Sequence, residues 1–285
     1  MNNKKYELVK DNAITVTDDK SFSHILYRIR ALKSFNDIKE GDLGGYIEKE
    51  SNLSHEGNSW VYNDAKVYGN ARVYDNARVY DNARVYGNTI VYNDAKVYDN
   101  AGVYGNAKVY GTAKVYGNTI VYGDAEVYCN AEVYGDAEVY GTAKVYGNTI
   151  VYGNAKVCGY AKVYDNAKVY GTAKVYGNTI VYGDAKVYGN AEVYGDARIS
   201  GNANICKDAK INNNNDYAII KGFGKFNRTT TFFRCSNNEI GVVCGCFTGT
   251  LDEFRERVKT TREGKIEEEY LMIADLMEKH FKEES

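Results

Sequence analysis

The densest set of chemically useful side chains lies in one short segment near the C-terminus, at residues 221–231. It combines cations, hydroxyl groups, an aromatic ring and glycines that let a ligand approach the backbone. Such cations suit a phosphate group, and aromatic faces suit a nucleobase. The segment lacks the spacing of a Walker loop, and a hairpin with exposed cations would have the same composition. The candidate ligand-binding residues are Lys221, Lys225, Phe226, Arg228, Thr229, Thr230 and Thr231.

Three cysteines in the same region raise the question of a metal site. Cys235, Cys244 and Cys246, with His280 as the fourth candidate ligand, match no strong zinc spacing. Residues two apart on a strand share one face, so Cys244 and Cys246 can equally be core thiols. We therefore predict no metal and no cofactor. The scattered positions of the six cysteines favour a reducing compartment, the cytoplasm.

Acid–base catalysis would call for a histidine, and the chain has three, at positions 24, 55 and 280. A catalytic base must reach the proton of the acceptor group. His55, which lies just before the central repeats, is the one candidate base for an acyl transfer. A structural role is the simpler interpretation of all three, so we predict no catalytic residues.

A six-residue repeat separates the candidate groups near the two ends of the chain. Val or Ile occupies every sixth position from Val61 to Ile211, and one unit, residues 67–72, reads V-Y-G-N-A-R. A period of six does not match a helix, whereas β-branched residues and Gly-Asn corners favour a short strand followed by a turn. Three units would close a coil of about 18 residues, and about eight stacked coils would form a parallel β-helix.

The unit V-Y-G-N-A-K resembles the hexapeptide repeat of left-handed β-helices, whose pattern [Ile/Leu/Val]-x-x-x-[small]-x is shared with many acyltransferases. The resemblance implies that Val and Ala point inward and that Tyr and the preceding Lys, Arg or Glu point outward. Most of the 28 tyrosines share this register. They should therefore form columns with rings about 4.8 Å apart along the axis.

A second period of 30 residues is superimposed on the first. The sequence Gly-Asn-Thr-Ile recurs at 87–90, 117–120, 147–150 and 177–180. Because 30 is not a multiple of the predicted 18-residue coil, successive copies fall on different faces. A shaft built in this way is expected to carry no face-specific site, which favours a spacer or scaffold role. The tyrosine columns could satisfy one another, contact a second copy of the chain or bind a foreign ligand.

Both ends differ from the repeats. Residues 1–60 read as an N-terminal β cap, with strands at 6–9, 13–16 and 24–32. Residues 61–211 are the left-handed β-helix. Residues 212–285 read as a small α+β module with three strands at 218–223, 229–234 and 239–244, and two helices. The first helix opens at the capping-box spacing of Thr250 and Glu253 and runs to about Lys259; the second covers 267–281. The fold class is thus an all-β solenoid with two end structures.

The ends carry a second resemblance. Residues 26–32 (L-Y-R-I-R-A-L) and 41–46 (G-D-L-G-G-Y) are similar to the N-terminal signature of β-helix proteins encoded by phages and prophages. Residues 229–232 (T-T-T-F) and 244–250 (C-G-C-F-T-G-T) resemble the C-terminal module that often follows. The resemblance implies a phage-type protein. The transferase label of such proteins comes by analogy with the hexapeptide fold, which does not establish an activity.

Charge and hydropathy limit the classes of partner that we expect for this chain. The net charge is −2, and basic and acidic residues are nearly equal in number along 61–211, so no nucleic-acid-binding stripe is expected. No apolar run is long enough to span a membrane, and the N-terminus lacks the apolar stretch of a secretion signal.

We predict a non-enzymatic, phage-type cytoplasmic scaffold or binding protein whose end modules contact a partner. By the resemblance to other hexapeptide-repeat proteins, we expect a homo-oligomer, with a trimer as one form. One alternative is an anti-defence sponge that sequesters a host signalling nucleotide through Arg228 and the neighbouring threonines. The other is a hexapeptide-repeat acyltransferase that uses His55.

Overall fold

The computed structural model describes residues 4–224 and 227–282. The chain contains two compact units, Met1–Gly153 and Asn154–Ser285. Each includes a stretch of parallel β-solenoid; the first also carries an antiparallel β cap, and the second an antiparallel sheet with two helices. The predicted fold class is confirmed, whereas the predicted boundaries at residues 60 and 211 stay a prediction.

No helix in the described part of the chain is both long enough and apolar enough to cross a bilayer.

The first unit begins with the cap strands β1 (Tyr6–Thr17), β2 (Ser23–Ala31) and β3 (Leu43–Ile47), followed by the short 3₁₀ helix Glu50–Asn52. Its solenoid strands are β4 (Trp60–Val61), β5 (Lys66–Val67), β6 (Arg72–Val73), β7 (Arg78–Val79), β8 (Arg84–Val85), β9 (Ile90–Val91), β10 (Lys96–Val97), β11 (Gly102–Val103), β12 (Lys108–Val109), β13 (Lys114–Val115), β14 (Ile120–Val121), β15 (Glu126–Val127), β16 (Glu132–Gly135), β17 (Glu138–Val139), β18 (Lys144–Val145) and β19 (Ile150–Gly153).

The cap is joined to the solenoid through β3. Strand β1 pairs antiparallel with β2 and has an irregularity between Val9 and Ala13, where the sequence predicted a break between two strands. Strand β2 pairs antiparallel with β3, and β3 pairs parallel with β5. The antiparallel cap thus changes into the parallel stack at one strand.

Within the solenoid stretch of each unit, a strand pairs in parallel with the third strand after it, so that Val79 lies beside Val97 and Val97 beside Val115. The repeat valines and alanines, such as Val133 and Ala137, are completely buried. The inward positions therefore carry mainly Val and Ala, with Ile199, Ile205 and Ile211 in the last coils, and the narrow core is filled mostly by small side chains.

The corners explain the Gly-Asn and Asp-Asn pairs of the repeat. Gly117 has a φ of 75°, and a Cβ atom there would lie 2.9 Å from the backbone nitrogen of Gly135 one turn later. The next position forms ladders of side-chain amides: Asn82 donates to Asn100, Asn100 to Asn118, and Asn118 to Asp136. The ladder stops at Asp136 because a carboxylate has no proton to donate onward.

Threonine replaces the inward alanine at four corners. Thr89, Thr119, Thr149 and Thr179 are fully buried, and each hydroxyl donates to the carbonyl oxygen of the tyrosine three residues earlier, at 2.6–2.7 Å. A buried hydroxyl is thereby satisfied inside its own coil, which removes the cost of placing it in the core.

The tyrosines stack in columns on the outside, as the repeat pattern predicts. The ring centroids of Tyr98 and Tyr116 are 4.7 Å apart, and those of Tyr110 and Tyr128 are 4.8 Å apart, with nearly parallel planes. Tyr68 is an exception, since it is fully buried against Leu26 and Tyr46 of the cap.

The second unit contains ten solenoid strands and the 3₁₀ helix Asn214–Asp216. The strands are β20 (Lys156–Val157), β21 (Lys162–Val163), β22 (Lys168–Val169), β23 (Lys174–Val175), β24 (Ile180–Val181), β25 (Lys186–Val187), β26 (Glu192–Val193), β27 (Arg198–Ile199), β28 (Asn204–Ile205) and β29 (Lys210–Ile211). The module that follows, here called the C-terminal module, consists of β30 (Tyr217–Phe223), β31 (Arg228–Arg234), β32 (Ile240–Cys244), β33 (Phe247–Thr250), α1 (Leu251–Thr261) and α2 (Gly264–Phe281).

The four strands of the C-terminal module form one antiparallel sheet in chain order, covered by both helices. Phe232 of the sheet and Phe254 of α1 lie at the centre of its apolar core, with ring centroids 6.1 Å apart. The opposite side of β31 contacts the last coils of the same unit, where Asn204 donates its backbone N–H to the hydroxyl of Thr231. The module therefore gains burial from the solenoid that a domain of its size would otherwise lack.

Candidate ligand-binding cleft

A cleft of about 500 Å³ opens in the C-terminal module. Its walls come from the β30–β31 hairpin, the turn between β32 and β33, the C-terminal half of α1 and the first turns of α2. The volume lies within the range of pockets that hold small molecules and cofactors. The cleft is the arrangement in the described structure that we consider most suited to a ligand.

Arg228 enters the cleft because a glycine leaves room for it. The residue opens β31, opposite Phe223, and is half-buried. A Cβ atom on Gly245, in the turn between β32 and β33, would lie only 2.6 Å from Nη1 of Arg228. Gly245 also has a φ of 63°, which other residues adopt at a cost. The turn thus both needs glycine for its backbone and uses it to seat the arginine.

Helix α1 supplies further cations at its C-terminal end. The capping box of Thr250 and Glu253 fixes the start of the helix, and Phe254 and Val258 face the core. This phase leaves Arg257 exposed at the cleft. Lys259 and Arg262 also line the cleft; Lys259 pairs with Glu256 at 2.9 Å, and Arg262 donates to the carbonyl of Thr261.

The hydroxyl groups of the cleft and the thiol of Cys244 are engaged with the protein, whereas Cys246 is exposed. The phenol of Tyr270 donates to the carbonyl oxygen of Phe223 at 3.3 Å, and burial raises its pKa, so it stays protonated at neutral pH. Thr260 donates to the backbone of α1. Thr230 donates to the sulfur of Cys244 at 3.2 Å. The cations of the cleft are therefore the side chains that we consider for ligand binding.

The structure brings one of the predicted ligand-binding residues, Arg228, to the cleft, next to Gly224. Lys221 is exposed on β30 and does not line the cleft, and Thr229 is half-buried. Thr230 and Thr231 are buried and bonded to other protein groups, so they pack the module. Lys225 and Phe226 lie outside the described residues.

The sequence-based reasoning missed Arg257, Arg262 and Gly245. The signal for the first two was a pair of arginines and two threonines at the end of a capped helix, which the sequence shows but does not connect to Arg228. The signal for Gly245 was the Cys-Gly-Cys-Phe turn, whose glycine the sequence does not connect to Arg228.

The candidate base His55 is built into the cap. Its Nδ1 accepts the backbone N–H of Lys5 at 3.2 Å, and its ring stacks on Tyr6 with centroids 4.3 Å apart. Its Nε2 is buried and has no hydrogen-bond partner among the described residues. Burial lowers the pKa of the imidazole more than the charge of Glu50 raises it. His55 is thus a partly buried histidine held by the cap, and its Nε2 lies 3.6 Å from a carboxylate oxygen of Glu50.

Cysteines and carboxylates do not gather into a metal site in the described part of the chain. No group of three or more His, Cys, Asp or Glu side chains there could hold an ion. The six cysteines are free; Cys206 is buried, whereas Cys129 and Cys246 are exposed.

Comparison with known proteins finds a family model that matches part of the solenoid and a relative that is similar over a short stretch. The family model described as the YdcK β-solenoid repeat matches residues 65–79 and 77–93. A relative in Escherichia coli (strain K12), named "Uncharacterized acetyltransferase YdcK", is 37% identical over 62 residues, which are 21% of this chain and 19% of the relative. The match thus spans about a fifth of either protein. The chain is a β-solenoid protein of the hexapeptide-repeat type, similar in its matched repeats to the YdcK solenoid.

Proposed function

We propose that the protein is a non-enzymatic binding protein of the phage type that acts in the cytoplasm. The solenoid serves as a rigid support, and the C-terminal module recognises its partner, a small molecule held in the cleft. The observation that carries this proposal is the cleft itself, with several cations around a volume that suits a ligand. The resemblance of both chain ends to phage-encoded β-helix proteins supports the cellular setting.

The contrast between the cleft and the solenoid surface supports a passive role for the solenoid. Its outward tyrosines stack on one another, as Tyr122 does on Tyr104 and Tyr140, and its amides bond along the ladders. Lysines of one turn pair with glutamates of the next, as Lys114 does with Glu132 at 2.7 Å. Groups that satisfy one another in this way gain little from a further partner.

Native mass spectrometry of the full-length protein, before and after exposure to bacterial extract, tests this proposal. We expect a discrete small-molecule adduct. Ile266→Trp should abolish it, because Ile266 lines the cleft and a larger ring there would fill it. Met272→Trp is the matched control, since Met272 is exposed on the same helix and does not line the cleft. Absence of any adduct, or its persistence in Ile266→Trp, would contradict the proposal.

A second candidate function is sequestration of a host signalling nucleotide, which the place of Arg228 in the cleft favours. Here the adduct would be a nucleotide, released unchanged on denaturation. A different mass after prolonged incubation would indicate turnover and exclude simple sequestration.

The third candidate is acyl transfer, which rests on the name of the Escherichia coli relative. It predicts consumption of acetyl-CoA with an acceptor and loss of that activity in His55→Ala. Retention of the activity in His55→Ala would remove His55 as the base.

We also propose that the chain forms a homo-oligomer, with a trimer as the leading expectation. A molar mass of 31.9 kDa, that of the monomer, measured by light scattering would contradict self-association.

A further inference from the structure

We infer that the cleft of the C-terminal module contains an anion subsite, formed by Arg228, Arg257 and Arg262, that binds the phosphate group of a small phosphorylated molecule. The inference rests on the proposed binding function, because it assigns a ligand class to the same cleft. It keeps Arg228 from the sequence-based prediction but replaces the other predicted residues of 221–231 with Arg257 and Arg262 of the cleft.

The charge of the cleft is strongly one-sided. Four cations line it (Arg228, Arg257, Lys259 and Arg262), against the single carboxylate of Glu263. Lys259 is partly neutralised by Glu256. Arg257 forms no ion pair within the described ranges, 4–224 and 227–282. A local excess of positive charge on a chain with a net charge of −2 indicates an anionic ligand.

The geometry of the donors favours phosphate over a single carboxylate. A guanidinium presents several N–H groups in a fixed plane, and a phosphate has enough oxygens to accept from more than one such fork. Thr260 and Thr261 cannot add donors, because their hydroxyl protons already bond the backbone of α1. Helix α2 begins at the same cleft with no side-chain cap, so its first amides add positive partial charge.

The cleft also has an apolar part, which indicates that the ligand is more than a free phosphate ion. Phe247, Phe254, Val258 and Ile266 line it together with Tyr270. A phosphate carried on an organic body of the size of a nucleoside or a sugar would use both the arginines and this lining.

Titration calorimetry with paired ligands tests the inference. The probes are adenosine monophosphate and glucose 6-phosphate, their unphosphorylated counterparts adenosine and glucose, and inorganic phosphate. We expect at least one phosphate ester to bind and its counterpart to bind at least tenfold more weakly, with affinity falling as salt rises. Inorganic phosphate should bind more weakly than the ester, since it leaves the apolar lining empty.

Charge-removing variants locate the subsite. Arg228→Gln and Arg257→Gln should each weaken the ester by about tenfold or more. Lys265→Gln is the matched control, because it removes one exposed positive charge from the same module outside the cleft. Gly245→Ala keeps every charge but places a methyl group against Arg228, so it should also weaken binding. Melting temperatures of all four variants separate loss of binding from loss of folding.

The inference fails if none of the phosphate esters binds, or if binding is the same in Arg228→Gln, Arg257→Gln and wild type. The proposed function would survive that result if the extract still gave an adduct without phosphorus that Ile266→Trp abolished. If neither the extract nor the probes gave binding, the anion-subsite inference and the proposed function would both be wrong.

Discussion

The solenoid and the C-terminal module use their residues in opposite ways. In the solenoid, Val97 has a valine on either side, Val79 and Val115, and the same environment returns at each turn. In the module, the residues that line the cleft come from several elements, β31, the turn between β32 and β33, α1 and α2, and do not recur in a repeating pattern. Repetition provides stability from many equal contributions, whereas the cleft depends on a few unique contacts. A single substitution should therefore have a larger effect in the module than in the solenoid.

Loss of the central phenylalanine of the module should have the largest effect. Phe232→Ala empties a fully buried position against Phe254 and should cost about 3–5 kcal/mol, enough to unfold a small module. Because α1 and α2 both belong to this module, the helical circular-dichroism signal should be lost while the β signal remains. Phe22→Ala, at an exposed position, is the control. An unchanged helical signal in Phe232→Ala would mean that the module does not depend on one core.

A buried change in the solenoid should cost less. Thr149→Val keeps the shape of the side chain but removes the hydrogen bond to the carbonyl of Tyr146, which should lower the free energy of unfolding by about 1 kcal/mol. Urea denaturation measures it. Thr112→Val, whose hydroxyl is exposed and bonds Cys129, should cost less than that. Equal losses in the two variants would show that burial of the hydroxyl has no consequence.

The cap should respond to pH through His24, by less than about 1 kcal/mol. Burial opposes the charge of this imidazole, but hydrogen bonds and charges of Glu48 and then Asp18 outweigh it and raise its pKa above the usual 6.5. The stabilisation is complete below the unfolded-state pKa and is lost as pH rises through the higher folded-state pKa. Urea denaturation across about pH 5 to 8 should show this loss.

His24→Gln should remove that part of the pH dependence, whereas His280→Gln, in the C-terminal module, should leave it in place. If His24→Gln keeps the wild-type profile, another group controls the response.

Removal of one whole turn should have the smallest effect. Deletion of residues 80–97 joins Val79 to the position that follows Val97, its partner in the neighbouring turn, and so keeps the pattern of the repeat. We expect a folded protein whose cleft binds its ligand as before. Deletion of 80–88 breaks the six-residue period and should unfold the stack locally. If the deletion of residues 80–97 by itself abolished ligand binding, the solenoid would contribute to recognition.

The solenoid was predictable because each residue of the repeat has a fixed environment. The inward Val and Ala, the outward Tyr and the Gly corners each follow from one position in a six-residue pattern. In the module, local rules succeeded where the signal is local: Thr250 and Glu253 form the expected capping box. They failed for β33, a four-residue strand between a turn and a helix cap, and for the start of α2, which lies at Gly264 rather than 267.

The cleft was beyond such rules because its residues meet only through tertiary packing. Arg228 was identified from its neighbours in sequence, yet Arg257 reaches the same cleft from a helix that begins 23 residues after Arg228. Nothing periodic or local links the two positions, and no pattern indicated that Gly245 would make room for Arg228.

The parallel pairing of each strand with the third one after it also sets the order in which the chain can acquire structure. Within the solenoid stretch of each unit, paired residues are 18 apart, as Lys66 and Arg84 are, so each turn needs only the turn before it as a template. Closing such short loops is fast, and repeat arrays can nucleate locally and propagate. During synthesis the cap and the first turns can therefore fold while the C-terminal module is still being translated.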